Sequence, residues 1–210
     1  MKGSSTPASA RAPRSSVEVS ALLLAAGESL RMGRPKLLLP WGKGTLLEAV
    51  LENLLGAQIL EVVVVLGPRA SEIMPLVSGE DRVKVVINPD FPSGMSSSIH
   101  RGLEAIGPHS LGIMIAMGDM PLIPPEVINR LIEAFRKGER GIVAPVFHGR
   151  RGHPVIFHRR YEGELRSLQG EEGGRRVIAA HPEDLLEIEV DCPGVIVDID
   201  TLEDYSRFRP

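Results

Sequence analysis

Short apolar runs alternate along this chain with stretches in which apolar residues recur at helical spacing. The run Val62–Leu66 contains only aliphatic residues, a pattern typical of a strand that is covered on both faces in a parallel sheet. Similar runs predict further strands, at residues 17–24, 83–87, 111–117, 142–146, 154–157 and 195–199. The chain therefore has the strand content of one sizeable sheet.

Helices are predicted between these strands. Thr45 and Glu48 have the spacing of a capping box, and the apolar residues that follow share one helical face as far as Gly56. Further helices are predicted at about residues 69–77, 96–106 and 125–137, with a polar helical stretch before residue 195 and a last helix opened by Thr201. This alternation predicts an α/β fold with a doubly wound, mostly parallel sheet, which binds ligands at the carboxyl ends of its strands.

Composition narrows the class of protein. The 210 residues predict a single domain at residues 17–210 after a Ser/Ala/Pro/Arg-rich tail at residues 1–16. The tail lacks the apolar segment of a signal peptide, and no apolar run approaches the ~20 residues that span a bilayer. The net charge of −3 does not favour a nucleic-acid partner. We therefore expect a cytoplasmic protein that binds neither membranes nor nucleic acid.

The loop after the first predicted strand combines small residues with positive charge. Small residues leave backbone N–H groups open to anionic oxygens or a base edge. Leu24 is followed by Ala25, Ala26 and Gly27. Arg31 and Lys36 then add cations within reach of a bound triphosphate. The glycine spacing fits neither a Walker A motif nor the G-x-G-x-x-G motif. The alternative is a surface turn with two solvated cations.

Acidic residues accompany two of the later predicted strands. Asp119 follows a buried strand, and a carboxylate at that edge of the sheet is a good ligand for Mg²⁺. Asp198 and Asp200 belong to the last predicted strand and its end, where alternation would put both side chains on one face. A cation shared by these loops would explain the arrangement. The alternatives are that Asp119 only stabilises a turn and that Asp200 only assists the helix cap at Thr201.

A serine-rich loop at residues 93–98 leads into the helix predicted at 96–106. Its hydroxyl groups and the N–H groups of the first helical turn are suited to an anion or a base edge. The alternative is that they only cap the helix.

Five segments together resemble one enzyme family. They are L-A-A-G-E-S-x-R-M-G-x-P-K at 24–36, G-M-S-S-S-I-x-x-G-L at 94–103, G-D-M-P at 118–121, G-H-P-V at 152–155 and D-I-D-T-x-E-D at 198–204. In this order they resemble the molybdenum cofactor cytidylyltransferases, which are MobA/MocA-like NTP transferases. The resemblance covers about residues 18–208 and implies a Rossmann-like sheet of the glycosyltransferase-A type.

The resemblance also implies a reaction, the transfer of CMP from CTP to the terminal phosphate of molybdenum-bound molybdopterin, with release of pyrophosphate. The product would be the cytosine dinucleotide cofactor of xanthine dehydrogenase-type hydroxylases. A molybdenum hydroxylase or its maturation factor is therefore an expected transient partner. Guanylyl-transferring relatives have L-A-G-G in the first motif, whereas the methyl group of Ala26 narrows the base pocket here and favours cytosine.

Residue roles follow from the same resemblance. Lys36 and Arg31 would stabilise negative charge on the phosphates, and Asp119 with Asp198 or Asp200 would hold Mg²⁺, with Mn²⁺ as the alternative ion. The implied nucleotide-binding residues are Leu24, Ala25, Ala26, Gly27, Arg31, Lys36, Ser98, which would contact the base or ribose, and Gly118. The implied acceptor-binding residues are Gly152, His153 and Pro154. A Gly- and Arg-containing segment at residues 170–175 matches the family more loosely.

Other functions stay open at this point. The nucleotide could be GTP, or the acceptor a sugar or alcohol phosphate such as methylerythritol phosphate. Against the latter, Leu37 stands where methylerythritol-phosphate enzymes commonly have glutamine. The chain could also be a non-catalytic molybdopterin carrier for a hydroxylase, although a pure carrier has no need of a triphosphate-binding loop.

Overall fold

The computed structural model describes residues 18–27, 32 and 35–210. The tail predicted at residues 1–16 and the candidate residue Arg31 lie outside the described residues. Within the described part of the chain, no helix has both the length and the apolar character needed to cross a membrane.

A central sheet organises the described residues. The strands are β1 (Val19–Ala25), β2 (Pro40–Trp41), β3 (Gly44–Thr45), β4 (Val62–Leu66), β5 (Val83–Ile87), β6 (Gly112–Met117), β7 (Ile142–Phe147), β8 (Arg150–Arg151), β9 (Val155–His158) and β10 (Leu185–Glu189). The main sheet has the order β10-β7-β9-β6-β1-β4-β5, with β8 paired to β7, and β2 and β3 form a separate hairpin. Strand β9 is antiparallel to β6 and β7, while the pairs of β1 with β4 and β6 are parallel. The predicted mostly parallel sheet is confirmed.

Helices cover both faces of this sheet. They are α1 (Leu46–Leu55), α2 (Ala70–Val77), α3 (Met95–Ala105), α4 (Pro125–Arg136), α5 (Glu162–Leu165), α6 (Arg175–Ala180) and α7 (Leu202–Phe208). Helices α1, α2 and α4 pack against one face of the sheet, together with Val62, Val64 and Leu66 of β4. Helices α3, α5 and α6 pack against the other face, together with Val63 and Val65. The run Val62–Leu66 is fully buried because both faces of its strand are covered.

Two helices begin with the predicted caps. The Thr45 side chain accepts a hydrogen bond from the backbone N–H of Glu48, and the Glu48 carboxylate accepts one from the backbone of Thr45. Thr201 and Asp204 make the same reciprocal pair at the start of α7. The second of these caps follows directly after Asp200 and fixes the chain at that point.

The prediction of a strand at residues 195–199 is wrong. Residues Pro193–Ile196 form a 3-10 turn, and the C-terminal strand is instead β10, inside the stretch predicted to be a polar helix. Gly194 lets this turn pack closely, because a Cβ there would lie 2.3 Å from the carbonyl oxygen of Leu122. The apolar residues of the segment are buried in the core without pairing in the sheet. Strand β10 has a polar sequence because it is an edge strand with exposed Glu187 and Glu189.

Candidate active site

Three distant segments meet at the carboxyl edge of the sheet. Lys36 follows the loop after β1, Asp119 comes two residues after the end of β6, and Asp200 precedes the cap of α7. The Lys36 Nζ donates to Asp119 Oδ2 at 2.6 Å and to Asp200 Oδ1 at 2.5 Å. The backbone N–H of Ile199 also donates to the carbonyl oxygen of Asp119 at 2.9 Å. Lys36 and the two acidic segments therefore lie together at this edge.

The electrostatics of this junction favour the charged forms. The side chains of Lys36, Asp119 and Asp200 are 13%, 15% and 25% exposed. Burial alone would lower the pKa of Lys36, but the two carboxylates outweigh it and hold that pKa above its ordinary value. Lys36 is therefore an ammonium group at neutral pH, placed between two carboxylates whose charges would otherwise repel.

A first cleft of about 420 Å³ opens on this junction. Its wall includes the end of β1 and the small residues that follow, namely Leu24, Ala25, Ala26 and Gly27. Ser98 also lines this cleft and accepts a hydrogen bond from Asn88 Nδ2 at 3.0 Å. Asn88 also bonds Ser97 at 2.9 Å, so an amide that sequence reasoning missed positions the serines of α3. Asp200 accepts from Lys36 and lines this cleft, whereas Asp204 pairs with Thr201 in the α7 cap.

A second cleft of about 660 Å³ lies on the other side of Asp119. Gly152 and His153 line it, together with Asp198 and residues of the segment 171–175. Four residues line both clefts: Met95, Met117, Asp119 and Glu171. A ligand in either cleft would therefore reach the Asp119 carboxylate.

His153 is held rigidly in the second cleft. Its backbone N–H donates to the carbonyl oxygen of Val195 at 2.8 Å, and a Cβ at Gly152 would lie 2.0 Å from that same oxygen. Burial and the positive charge of Arg175 lower the pKa of His153, while Asp119 and Asp198 act in the opposite direction. His153 is therefore neutral at neutral pH, and its buried Nδ1 has no hydrogen-bond partner among the described residues.

Other candidates are separated by the structure. Asp198 and Asp200 were predicted to share a strand face, but no strand forms there, and Asp198 lines only the second cleft while Asp200 lines only the first. Gly118 lines neither of these clefts, because its N–H donates to the carbonyl oxygen of Leu24 at 3.0 Å. Pro154 lines a small apolar cavity behind the second cleft.

The donor set at the junction fits a divalent cation. The buried Oδ1 of Asp119 has no hydrogen-bond partner among the described residues, and a second carboxylate, Asp200, lies on the far side of Lys36. Among residues 18–27, 32 and 35–210 no group of three or more His, Cys, Asp or Glu side chains is arranged to hold a metal. A cation here would therefore take further ligands from substrate phosphates and water, as Mg²⁺ commonly does.

Sequence reasoning missed several residues that line the clefts. Met95, Met117 and Glu171 occupy the shared wall, and Arg150 lines the second cleft. Met117 ends an apolar run and looks like a core residue, Met95 lies inside the motif at 94–103 without a chemistry of its own to mark it, and Arg150 belongs to a two-residue strand with no recognisable motif. Only the segment 170–175 gave a signal, through its loose match to the family.

The chain matches a family model described as the MobA-like NTP transferase domain, over residues 21–185. This match covers most of the chain. The chain belongs to this family. The resemblance seen in the sequence is thereby confirmed at the family level, and the protein is an enzyme of the nucleotidyltransferase class. Membership favours a MobA-like transferase over the non-catalytic carrier.

Curated relatives of this MobA-like transferase carry more than one name. It is 26% identical to a molybdenum cofactor cytidylyltransferase of Escherichia coli strain K12, over 89% of this chain and 93% of the relative. It is 32% identical to a nicotine blue oxidoreductase of Paenarthrobacter nicotinovorans, over 90% of this chain and 95% of the relative.

Solved structures agree with the fold. The crystal structure of Rv0371c from Mycobacterium tuberculosis superposes with a TM-score of 0.79 at 29% identity, over 91% of this chain and 97% of that one. A manganese complex of that mycobacterial protein gives a TM-score of 0.74 at 28% identity, over 91% and 97% of the two chains. A relative with this MobA-like fold thus binds a divalent cation.

Proposed function

We propose that this MobA-like transferase moves CMP from CTP to the terminal phosphate of a molybdopterin-type acceptor. The single observation that carries the proposal is the contact of Lys36 with Asp119 and Asp200 at the junction of two clefts. A transfer reaction needs two substrates that meet at one charged centre, and this arrangement offers a cleft to each. The relative named molybdenum cofactor cytidylyltransferase supports the choice of substrates.

The first cleft suits the nucleotide. Small residues from Leu24 to Gly27 form one wall, so a ligand can approach the backbone closely. Lys36 brings a positive charge to the same cleft, where it would stabilise the triphosphate. Ser98, which also lines this cleft, would contact the base or the ribose, and the methyl group of Ala26 would narrow the base pocket. These features support a pyrimidine nucleotide.

The second cleft suits the acceptor. Apolar side chains such as Phe157 and Ile115 line it beside arginines and His153, a composition that fits a flat, phosphorylated heterocycle. Because Asp119 also lines this cleft, an acceptor phosphate bound here would approach the α-phosphate of a nucleotide in the first cleft.

The chemistry is in-line displacement at phosphorus. An acceptor phosphate oxygen forms a bond to the α-phosphorus of CTP, the bond from that phosphorus to the β-phosphate oxygen breaks, and pyrophosphate leaves. No general base is required, since a phosphate monoester is largely ionised at neutral pH. Lys36 stabilises the negative charge that develops on the phosphates. Asp119 with Asp200 or Asp198 would hold Mg²⁺ or Mn²⁺, which supplies charge neutralisation for the phosphates.

Pyrophosphate release tests this function. Purified protein with Mg²⁺ is incubated with CTP, GTP, ATP or UTP and with molybdopterin or methylerythritol phosphate. We expect pyrophosphate only when CTP and the molybdopterin-type acceptor are both present. Equal release of pyrophosphate with GTP would refute the assignment of cytosine as the base. Release from CTP with methylerythritol phosphate, and none with molybdopterin, would refute the assignment of the acceptor.

The relative named nicotine blue oxidoreductase favours a second candidate, reduction of a heterocycle. The same samples can be followed for consumption of NADH or NADPH in the presence of a quinone-like dye. Consumption that survives Asp119→Ala, without any pyrophosphate release, would favour the oxidoreductase.

A further inference from the structure

The segment from Gly170 to Arg175 forms a wall between the two clefts. The carbonyl oxygen of Gly170 accepts a hydrogen bond from the backbone N–H of Ser96 at 3.0 Å. Gly94, whose φ is +100°, lies so close that a Cβ there would be 2.3 Å from the Gly170 carbonyl. At the other end of the segment, a Cβ on Gly174 would be 2.5 Å from the ring of Phe157. Backbone packing therefore fixes this segment at both ends.

The charged side chains of this segment divide into two kinds. The Glu172 carboxylate accepts a hydrogen bond from Arg176 Nη1 at 2.7 Å and one from the backbone N–H of Gln169 at 2.9 Å. Both bonds lie within the segment and stabilise its turn. Glu171 and Arg175 instead line the clefts, and their side chains make no hydrogen bond or ion pair with another described residue. Arg176 is thus engaged in an ion pair within its own turn, whereas its neighbour Arg175 lines the second cleft.

Arg175 faces the acceptor side of the junction. It lines the second cleft with His153, close enough for its charge to lower the pKa of that imidazole. Arg151 on the same rim is engaged by Glu187 at 2.8 Å, whereas the Arg150 side chain has no hydrogen bond or ion pair within the described part of the chain. The cleft therefore holds two guanidinium groups that are available to an anion.

We propose that Arg175 binds the phosphate of the acceptor in the second cleft, with Arg150 as a second, outer contact to the same substrate. A guanidinium group binds a phosphate through paired, charge-assisted hydrogen bonds, and its fixed fork orients the phosphate. The proposal rests on the proposed function for the identity of the cleft, and it specifies the acceptor class as a phosphate monoester on a flat, largely apolar body.

Phenyl phosphate is a suitable probe, because it has a phosphate monoester on a flat apolar ring and needs no turnover. Its Kd is measured by titration calorimetry with Mg²⁺ present, for the full chain and for Arg175→Gln, Arg150→Gln and Arg176→Gln. We expect Arg175→Gln to weaken binding about 10- to 100-fold, as the loss of a charged hydrogen bond does. Arg150→Gln should have a smaller effect. Arg176→Gln should change the Kd little, since the Glu172–Arg176 pair is exposed.

Two further readouts separate this proposal from the function on which it rests. CTP affinity should be equal in wild type and Arg175→Gln, and the variant should raise the KM for the acceptor more than it lowers kcat. Equal phenyl phosphate affinity in the Arg175 and Arg176 variants would overturn the proposal, as would absence of binding to the wild type. If the probe distinguishes the two arginines but no pyrophosphate forms with any acceptor, the phosphate site stands and the proposed reaction fails.

Discussion

At the scale of single residues, Lys36 is the side chain on which the junction depends. Its ammonium group contacts one carboxylate from the loop after β6 and one from the segment before α7. The chain between these partners is long, so the three groups meet only in the folded protein. The same ammonium is within the cleft given to the nucleotide, and it therefore serves both the fold and the proposed chemistry.

Lys36→Ala and Asp119→Ala should each lower turnover by at least about 10²-fold, as the loss of a charge-stabilising group does. Lys43→Ala is the matched control, because Lys43 is exposed and lies outside both clefts. Initial rates of pyrophosphate release at saturating CTP measure the effect. Wild-type turnover in Asp119→Ala would remove Asp119 from the mechanism.

Lys36→Met should make the protein's stability depend on a divalent cation. The change leaves Asp119 and Asp200 facing each other in a partly buried site, at a cost of about 1–3 kcal/mol. Thermal melting with and without MnCl₂ measures the effect, and Mn²⁺ should raise the Tm of the variant more than that of the wild type. If Mn²⁺ left the Tm of the variant unchanged, these carboxylates would not be a cation site.

At the scale of elements, the junctions between loops decide whether the clefts form. The segment 170–175 lies directly against Gly94 at the start of α3, and the turn Pro193–Ile196 lies directly against Gly152. Both contacts bring backbone against backbone, which only glycine permits. The shape of each cleft is therefore set by glycines that touch no substrate.

Gly94→Ala should destabilise the protein by at least about 2 kcal/mol, because the positive φ and the close carbonyl both oppose a Cβ. Gly163→Ala is the control, since a Cβ there meets nothing within 4 Å and alanine favours the helix. Urea denaturation gives the two free energies of unfolding. Equal stability of the two variants would contradict the close packing of segment 170–175 against Gly94.

Asp184 should make the edge of the sheet sensitive to acid. Burial raises the pKa of Asp184, but hydrogen bonds from Tyr161, Arg160 and the backbone of Gly141 outweigh it and bring the pKa to about 2. A lowered carboxyl pKa stabilises the fold above the ordinary value of 3.8, and this contribution is lost as the pH falls toward 2. Asp184→Asn should cost about 1 kcal/mol at neutral pH and flatten the loss of stability in this range.

Denaturation midpoints between neutral pH and pH 2 measure this slope. Tyr161→Phe removes one donor to Asp184 and should produce a smaller change in the same direction. A wild-type slope in Asp184→Asn would show that this carboxylate does not control the acid response.

Elements defined by local chemistry could be predicted from the sequence. Helix α1 has its cap, apolar face and terminal glycine within one short stretch, and β4 has a continuous apolar run. The segment after Pro193 was mistaken for a strand because buried apolar residues without sheet pairing look the same in sequence. In the candidate site, Asp119 and Asp200 were predicted because each lies near a predicted strand end, and Lys36 because it is a cation at the end of the motif at 24–36. Glu171 and Arg150 were missed, since their position depends on contacts between distant segments.

At the scale of the whole molecule, the sheet places two clefts at one edge with a shared wall. Parallel strands bring the loops after β1 and β6 side by side, and the antiparallel β9 brings Gly152 and His153 to the same edge from the opposite direction. The one antiparallel strand among these thus contributes residues to a second cleft at the same edge. The central claim is that the nucleotide occupies the first cleft, with its phosphates at Lys36.

A crystal structure with a non-hydrolysable CTP analogue and Mg²⁺ tests this claim most directly. We expect the cytosine ring beside Ser98 and Ala26, the triphosphate against Lys36, and the cation on Asp119. A triphosphate bound in the second cleft, against Arg150 and Arg175, would contradict it.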